Sequence, residues 1–454
     1  MVADRGTWGT RTGFILAAAG SAVGLGNIWG FPTQVGQGGG AAFVLVYLLC
    51  VLLICFPILV GELSIGRHAQ QSPVGSFALI RPGTRWWLVG ALGVMTGAGI
   101  LSFYSVIAGW TVAYVWFTLT GQVAGDQQTI GKFFAEFTAN ASASISLTLL
   151  FLGITAAVLL GGVRAGIERV TKTLMPALVV LLLLLAGRAV TLPGAAEGLA
   201  YYLKPDLSRL LDPSLYSAAL GQAFFSLSLG MGCMITYGSY LGKREGIASA
   251  AAWVVLLDTS IALLAGFIIF PSGFSIPGFD PSSSGPGLIF TVLPRLFSTL
   301  PGGQLFGGAF FLLLTMAALT STISLLEVPV SHFVDRCGWT RRRAVFLVTL
   351  AVLMLSIPSA LATGAVPLFS NLPGTNLDFL TLMSTVWNDF ALPIGGLLTA
   401  IFVGRIWGID GVLEELLAHH AWFPAPGLWA FLIRWICPLG ILAIIVPAVL
   451  AIFS

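Results

Sequence analysis

Gly20-Ser21-Ala22-Val23-Gly24-Leu25-Gly26-Asn27 lies inside an apolar segment that runs from about residue 12 to residue 36. Gly24 and Gly26 remove the steric barrier to unusual backbone angles, and Asn27 adds a side-chain oxygen beside them. In a membrane helix, irregular backbone survives only where it is packed in protein or lines a cavity, because its freed N–H and C=O groups need new partners. The stretch therefore predicts a broken helix whose carbonyl groups can bind a cation. The alternative is a continuous helix with a small-residue packing face.

The composition is that of a polytopic membrane protein. Of 454 residues, 57% are hydrophobic and 9% are charged, and the mean hydropathy is +0.96. A membrane-spanning helix needs about 20 apolar residues, so we predict an all-α fold with eleven spans. These are expected at about 12–36, 41–66, 87–120, 143–162, 168–190, 215–241, 246–273, 303–334, 343–361, 375–404 and 427–453.

The distribution of Lys and Arg predicts the orientation of the chain in the membrane. Sixteen of the 21 Lys and Arg residues fall on the side of the N-terminus, and cytoplasmic loops carry the excess of these residues. We therefore expect a multi-pass protein of the inner (plasma) membrane with a cytoplasmic N-terminus. The basic residues form no compact patch, so we expect no nucleic-acid partner. The five on the opposite side are Lys132, Arg188, Lys204, Arg209 and Arg295.

A second glycine-rich stretch, Ser226-Leu227-Ser228-Leu229-Gly230-Met231-Gly232, interrupts the sixth span. Corresponding interruptions in two halves of a chain indicate a transporter site built on inverted repeats, although the 55 glycines also allow a coincidence. We predict a first repeat over 1–190, a second over 191–405 and an inner linker with the last helix over 406–454.

Two loops are predicted to contain short helices. In the outer loop 271–301, the apolar portion 287–298 is expected to form a helix over the outer mouth. The basic inner loop 164–172 is expected to form an amphipathic helix at the anionic leaflet. Either segment could instead be a plain connector.

Together these motifs resemble the neurotransmitter:sodium symporter family, in particular its bacterial amino-acid members. The resemblance is specific across the first eight spans and weaker beyond them. It rests on Trp8, Arg11, Ala22 to Asn27, Phe31-Pro32, Gly38-Gly39-Gly40, Gly61-Glu62, Tyr104, Trp110, Gln222 to Gly230 and Leu319-Thr320-Ser321.

The resemblance implies two Na⁺ sites, and sodium prefers oxygen ligands. The first would use Ala22, Asn27, Ser226 and Asp258, with the substrate carboxylate completing it. The second would use carbonyl groups of Gly20, Val23 and Ala317 and the hydroxyls of Thr320 and Ser321. The alternative for these two hydroxyls is a bond to a carbonyl of their own helix.

The resemblance also implies an amino-acid site. The substrate carboxylate would contact the N–H groups of Leu25 and Gly26 and the Tyr104 hydroxyl. Its amine would face carbonyl groups of Ala22, Phe225 and Ser228. Gly24 stands where monoamine-carrying relatives have Asp, which favours an α-amino acid. The side-chain pocket would be lined by Ile100, Ser228, Met231, Ser321 and Leu325.

Asp258 departs from the family pattern, because relatives often have Asn at this position. Tyr47, Gln222 and Ser226 match parts of the chloride pocket of chloride-dependent relatives. A fixed carboxylate beside that pocket predicts transport that does not need chloride. Because a carboxylate can be protonated, Asp258 could also carry a proton in the return step.

The family's gates match this chain in part. Phe225 would be the aromatic outer lid, and Arg5, Trp8, Tyr240 and Asp335 match the cytoplasmic latch. The outer latch of many relatives pairs an Arg in the first span with an Asp in the tenth. Here Gly30 takes the Arg position and Asp378 lies near the Asp position, so this latch is missing or rebuilt.

The predicted function is sodium-coupled symport of a neutral, hydrophobic α-amino acid by alternating access. The alternatives are a symporter of glycine or another small zwitterion, and an amino-acid-binding membrane sensor with little transport. An enzyme is not expected, since no nucleophile–base pair or metal motif occurs in the sequence. The sequence leaves the oligomeric state open.

Overall fold

A computed structural model describes residues 6–276, 278–282, 288–375, 377–418 and 423–453. Nine helices in these ranges are long and apolar enough to cross a membrane, and one bent pair adds a tenth. The remaining predicted span, the sixth, is a helix of fourteen residues and a helix of six, separated by a break. We number these segments as span 1 (Arg11–Ala22 and Gly26–Gln37), span 2 (Ala41–Ala69), span 3 (Trp87–Leu119), span 4 (Ala141–Leu160), span 5 (Val163–Ala189), span 6 (Pro213–Ser226 and Cys233–Gly238), span 7 (Ile247–Phe274), span 8 (Gly303–Cys337), span 9 (Arg341–Ala360), span 10 (Phe379–Leu417) and span 11 (Pro426–Val446).

The two broken spans lie inside the bundle. The halves of span 1 are bent by 51°, and they pack against spans 5, 7 and 8. Spans 3 and 8 pack along each other over much of their length. The outer surface of the bundle carries exposed apolar side chains such as Leu52, Leu184 and Phe346. An apolar exterior around a core with buried polar groups is what a lipid environment requires.

The bundle has two ends. We call the end that carries residues 6–10 and the loop 242–246 the N-terminal face. The opposite face carries three short helices, Gln127–Ala139, Ala195–Leu203 and Leu293–Thr299. Phe290 packs on the rings of Tyr114 and Phe134 with centroid distances of 4.8 and 5.4 Å. The apolar helix expected over 287–298 is present as Leu288–Val292 followed by Leu293–Thr299. Residue 287 lies outside the described residues.

The basic segment 164–172 is helical, as expected, but it belongs to a span and not to a loop. These residues form the first turns of span 5, which begins at Val163. The Glu168 side chain is the reason: it accepts hydrogen bonds from Gly9 N–H at 2.6 Å and from the Thr10 hydroxyl at 2.9 Å. These contacts hold the start of span 5 against the start of span 1 inside the bundle, with Glu168 only 2% exposed.

Candidate functional site

The interruptions of spans 1 and 6 meet at the centre of the bundle. Val23 is extended (φ −72°, ψ 112°), and Ser228, Gly230 and Gly232 have positive φ angles of 53°, 78° and 78°. The Ser228 hydroxyl donates to the Ser21 carbonyl at 2.9 Å. Neither break is a packing face on a continuous helix, so the freed backbone groups of both spans face one another.

Glu62 of span 2 supports the break in span 6. Its Oε1 accepts the Gly230 N–H at 2.8 Å, and the side chain is fully buried. This contact binds a backbone group that the broken helix leaves unpaired.

The residues predicted for the first sodium site form one buried cluster. Asn27 Nδ2 lies 2.7 Å from Asp258 Oδ1, 3.1 Å from the Asp258 carbonyl and 3.0 Å from Ser226 Oγ. Ser226 Oγ donates to Asp258 Oδ2 at 2.8 Å. Ala22 lines the neighbouring cavity. The four predicted residues therefore lie around the break in span 1.

The Asn27 side chain differs from the expectation in one respect. Its amide nitrogen faces the oxygens of Ser226 and Asp258, while Oδ1 accepts the Gly24 N–H at 3.0 Å. In this position the nitrogen lies within 3.1 Å of three oxygens of Ser226 and Asp258. A half-turn of the amide would present Oδ1 to the cluster as a ligand.

The residues predicted for the second sodium site meet where span 1 contacts span 8. The Val23 carbonyl accepts from Thr320 Oγ1 at 3.3 Å and from Ser321 Oγ at 3.1 Å. Thr320 Oγ1 also donates to the Ala317 carbonyl at 2.9 Å. A Cβ on Gly20 would lie 3.3 Å from Thr320 Cβ. The Thr320 hydroxyl therefore has hydrogen-bond partners both in its own helix and in span 1.

A small cavity of about 20 Å³ lies between the two clusters. Nine of the ten predicted substrate residues line it, together with Ser21 and Gly24. The tenth, Leu25, donates its N–H to Tyr104 Oη at 2.8 Å. The lining is entirely uncharged: Ser21, Ala22, Gly24, Gly26, Ile100, Tyr104, Phe225, Ser228, Met231, Ser321 and Leu325.

Phe225 and Tyr104 separate this cavity from a larger vestibule of about 530 Å³, since both side chains line both spaces. Phe225 packs so closely on Gly26 that a Cβ there would lie 2.8 Å from its ring. The vestibule also exposes Asp389 of span 10, a charged residue that sequence reasoning did not single out. Its position in an apolar helix just before Pro393 gave no motif to match.

The usual outer latch does not form in the described residues. Gly30 faces Gln222, whose Nε2 donates to the Gly26 carbonyl at 2.7 Å. Asp378 instead caps the start of span 10 by accepting the Thr381 N–H at 2.8 Å.

At the N-terminal face, two of the predicted latch residues are in contact. The backbone N–H of Trp8 donates to the Tyr240 carbonyl at 3.3 Å, and the side-chain rings of the two residues pack edge to face at 6.2 Å. Asp335 accepts the Ser72 N–H at 2.6 Å and lines the same pocket as Tyr240. Arg5 lies outside the described residues.

An ion pair between spans 8 and 9 lies beside this latch. Glu327 accepts two hydrogen bonds from the Arg341 guanidinium at 3.0 and 2.6 Å and one from Tyr240 Oη at 2.6 Å. Arg341 also donates to the Leu159 carbonyl at 2.7 Å. The available signal was a mid-helix acid followed, fourteen residues later, by an Arg at the start of the next span.

Comparison with known proteins adds to this geometry. The model of the sodium:neurotransmitter symporter family matches residues 5–136 and 129–453. The chain belongs to this family. An uncharacterized sodium-dependent transporter of Bacillus subtilis, YhdH, is 38% identical over 442 residues, which are 96% of each chain. The crystal structure of MhsT in complex with L-phenylalanine is 44% identical, with a TM-score of 0.90, and covers 98% of this chain and 100% of that one.

A more distant relative is the human sodium- and chloride-dependent GABA transporter 2, which is 25% identical over 96% of this chain and 79% of its own length. The resemblance found in the sequence is thus confirmed. Members of the symporter family are transporters rather than enzymes, and this member is a multi-pass membrane protein that uses sodium.

Proposed function

We propose that this chain couples sodium to the uptake of a neutral α-amino acid with an apolar side chain. The observation that carries the proposal is the uncharged cavity enclosed by two broken helices. Irregular backbone at this depth offers both N–H donors and C=O acceptors, which match the two charged ends of a zwitterion. MhsT, solved with L-phenylalanine, has nearly the same fold.

The substrate carboxylate would accept hydrogen bonds from the Leu25 N–H and the Tyr104 hydroxyl, which lie 2.8 Å apart at the edge of the cavity. The N–H groups at the start of the second half of span 1 favour an anion there. The amine would face the carbonyl groups of Ala22, Phe225 and Ser228. An Asp at position 24 would have no space, because a Cβ on Gly24 would contact Ser321 and Tyr104.

The cavity must grow to admit such a substrate, since about 20 Å³ holds little more than one water molecule. The two side chains that can make room are Phe225, which is half-buried and faces the vestibule, and Met231, which is unbranched and adaptable. Movement of Phe225 joins the cavity to the vestibule and admits the substrate. Its return over the substrate would close the outer path.

Two sodium ions are proposed, one in each oxygen cluster. A buried carboxylate in a membrane span is costly without a partner, and a sodium ion beside Asp258 supplies that partner. If the substrate carboxylate also contacts this ion, substrate and sodium strengthen each other's binding reciprocally. A membrane potential adds about 2.3 kcal/mol per inward charge per 100 mV.

We further propose that transport is independent of chloride. Ser226 Oγ lies 3.4 Å from Tyr47 Oη and 2.8 Å from the Asp258 carboxylate. The carboxylate would supply the negative charge beside sodium that an anion otherwise provides. Replacing external chloride with gluconate should leave uptake unchanged, and loss of most uptake would reject this part of the proposal.

The N-terminal face is proposed to be cytoplasmic and to open when the Trp8–Tyr240 contact breaks. This face also holds the Glu327–Arg341 ion pair, which joins span 8 to span 9. Opening would then move spans 1 and 6 against spans 8 and 9.

The test is uptake into proteoliposomes with an imposed sodium gradient and a panel of labelled amino acids, including phenylalanine, leucine, glycine and lysine. Accumulation of apolar amino acids above equilibrium is expected, and choline in place of sodium should abolish it. Accumulation of glycine alone would favour a carrier of small zwitterions. Tight binding without accumulation would identify a sensor.

A further inference from the structure

A second pocket lies at the N-terminal face, between the end of span 10 and the start of span 11, far along the chain from the transport site. Its volume is about 690 Å³. Two contacts place it at this face: Lys243 of the loop 242–246 donates to the His68 carbonyl at 3.1 Å, and the rings of His68 and Trp407 are 5.0 Å apart. The lining residues are Gly404, Arg405, Gly408, Ile409, Asp410, Ala430, Phe431, Arg434 and Trp435.

Two arginines from different spans converge in this pocket. Arg405 lies over the Trp435 ring with its guanidinium carbon 4.9 Å from the centroid, and that of Arg434 lies 6.0 Å from the same centroid. The convergence depends on Gly404, because a Cβ there would lie 3.2 Å from Arg434 Cα. A larger residue at position 404 would push span 11, and Arg434 with it, away from span 10.

Neither arginine has an acidic partner among the residues that the structure describes. By contrast, Arg67 pairs with Glu415 at 2.7 Å and Arg341 with Glu327 at 2.6 Å. Both Arg405 and Arg434 are exposed. Two guanidinium groups over one indole ring therefore present several N–H donors, in the planar geometry that fits phosphate oxygens.

The surroundings of the pocket indicate where the anion comes from. Phe431 and Trp435 are 53% and 45% exposed, and Leu428 and Leu439 on the same span are 58% and 61% exposed. An exposed apolar surface that ends in arginine and tryptophan at one face of the bundle is typical of the boundary between acyl chains and headgroups.

We propose that this pocket binds the phosphodiester headgroup of an anionic phospholipid. Arg405 and Arg434 would hold the phosphate from two sides, and an acyl chain would lie along Phe431 and Leu439. The lipid would thereby join span 10 to span 11 at the membrane surface.

Asp410 sits at the rim of the same pocket and opposes this binding. Its exposed carboxylate lowers the net positive charge that faces the phosphate. The Asp410→Asn change is therefore expected to strengthen lipid binding, an outcome that damage to the fold cannot produce.

The simpler explanation is that these arginines only mark the side of the membrane by their charge. Arg343 provides the matched control, because its guanidinium carbon lies 4.9 Å from the Trp339 ring centroid and no second arginine of the described residues lies over that ring. It lies in the first turn of span 9, where it shares the Arg–Trp contact but not the pocket.

The test is native mass spectrometry of the full chain released from mixed phosphatidylglycerol and phosphatidylcholine micelles. Wild type is expected to retain phosphatidylglycerol preferentially. Each of Arg405→Gln and Arg434→Gln should weaken that preference about fivefold, Arg343→Gln should leave it unchanged, and Asp410→Asn should increase it.

Several results would overturn the proposal. These are equal retention of the two lipids by wild type, an effect of Arg343→Gln as large as that of Arg405→Gln, and no increase with Asp410→Asn. Thermal unfolding separates the lipid from a free anion: phosphatidylglycerol vesicles should stabilise wild type, and equal stabilisation by inorganic phosphate would contradict a lipid ligand.

Discussion

Replacement of Asp258 by Asn tests the proposed first sodium site most directly. The change keeps the size of the side chain and one oxygen, but it removes the charge. Asp258 is fully buried, and each of its carboxylate oxygens has a partner, Asn27 Nδ2 at 2.7 Å and Ser226 Oγ at 2.8 Å. A sodium ion in this cluster would stand at ligand distance from the carboxylate.

The size of the effect follows from that arrangement. Two unit charges 4 Å apart attract by about 4 kcal/mol at an effective dielectric constant of 20. The amide oxygen of Asn remains a ligand, and the cost of burying the carboxylate disappears, so we expect roughly half of this energy to be lost. About 2 kcal/mol corresponds to roughly a 30-fold weaker sodium affinity.

The assay is the sodium dependence of labelled amino-acid binding to purified protein, repeated with and without chloride. Asp258→Asn should need about 30-fold more sodium, and chloride should restore part of the loss by supplying the missing charge. Asp389→Asn, which removes a carboxylate from the vestibule wall, is the control and should bind sodium as wild type does. An unchanged sodium dependence in Asp258→Asn would refute the proposed role of the carboxylate.

Three further substitutions test the substrate site and the N-terminal face. Tyr104→Phe should weaken amino-acid binding roughly 10- to 100-fold without unfolding the protein, because it removes one hydrogen bond to a charged group; equilibrium binding measures this. Arg341→Gln should destabilise the fold by about 3–5 kcal/mol, because it leaves Glu327 buried and uncompensated, and a double change with Glu327→Gln should recover part of the loss in thermal unfolding. Tyr240→Phe removes the 2.6 Å bond to Glu327 and should make this face open more often. A cysteine introduced at Ser331, which is buried in the pocket beside Tyr240, should then react faster with a thiol reagent, and an unchanged rate would contradict the latch.

The positions of the helix breaks could be predicted from the sequence because their cause is local. Gly24 and Gly26 lie at the break in span 1, where a Cβ would meet Ser321 and Tyr104 or the Phe225 ring, and Gly230 and Gly232 adopt positive φ angles in span 6. The grouping of Asn27 with distant Asp258, however, came from the family resemblance. Periodicity alone does not say which faces of two helices meet.

The contacts that sequence reasoning missed all depend on such long-range pairing. Glu168 and Lys172 are four residues apart, so their ion pair at 2.6 Å is readable from the sequence. The hydrogen bond from the Gly9 N–H to the same carboxylate cannot be read from the sequence. It requires that Gly13 of span 1 leave space for the Glu168 side chain.

One short segment links the two proposed ion sites and the substrate cavity. The Ser21 carbonyl accepts from Ser228 of span 6 at 2.9 Å and from Ser321 of span 8 at 3.3 Å. Two residues later, the Val23 carbonyl accepts from Ser321 at 3.1 Å, and the next N–H belongs to Gly24, which binds Asn27. An ion that enters either cluster must displace bonds made by these same peptide groups. If both ions and the substrate bind as proposed, all three contact the backbone around residues 21–24, so coupling between sodium and substrate needs no long pathway through the bundle.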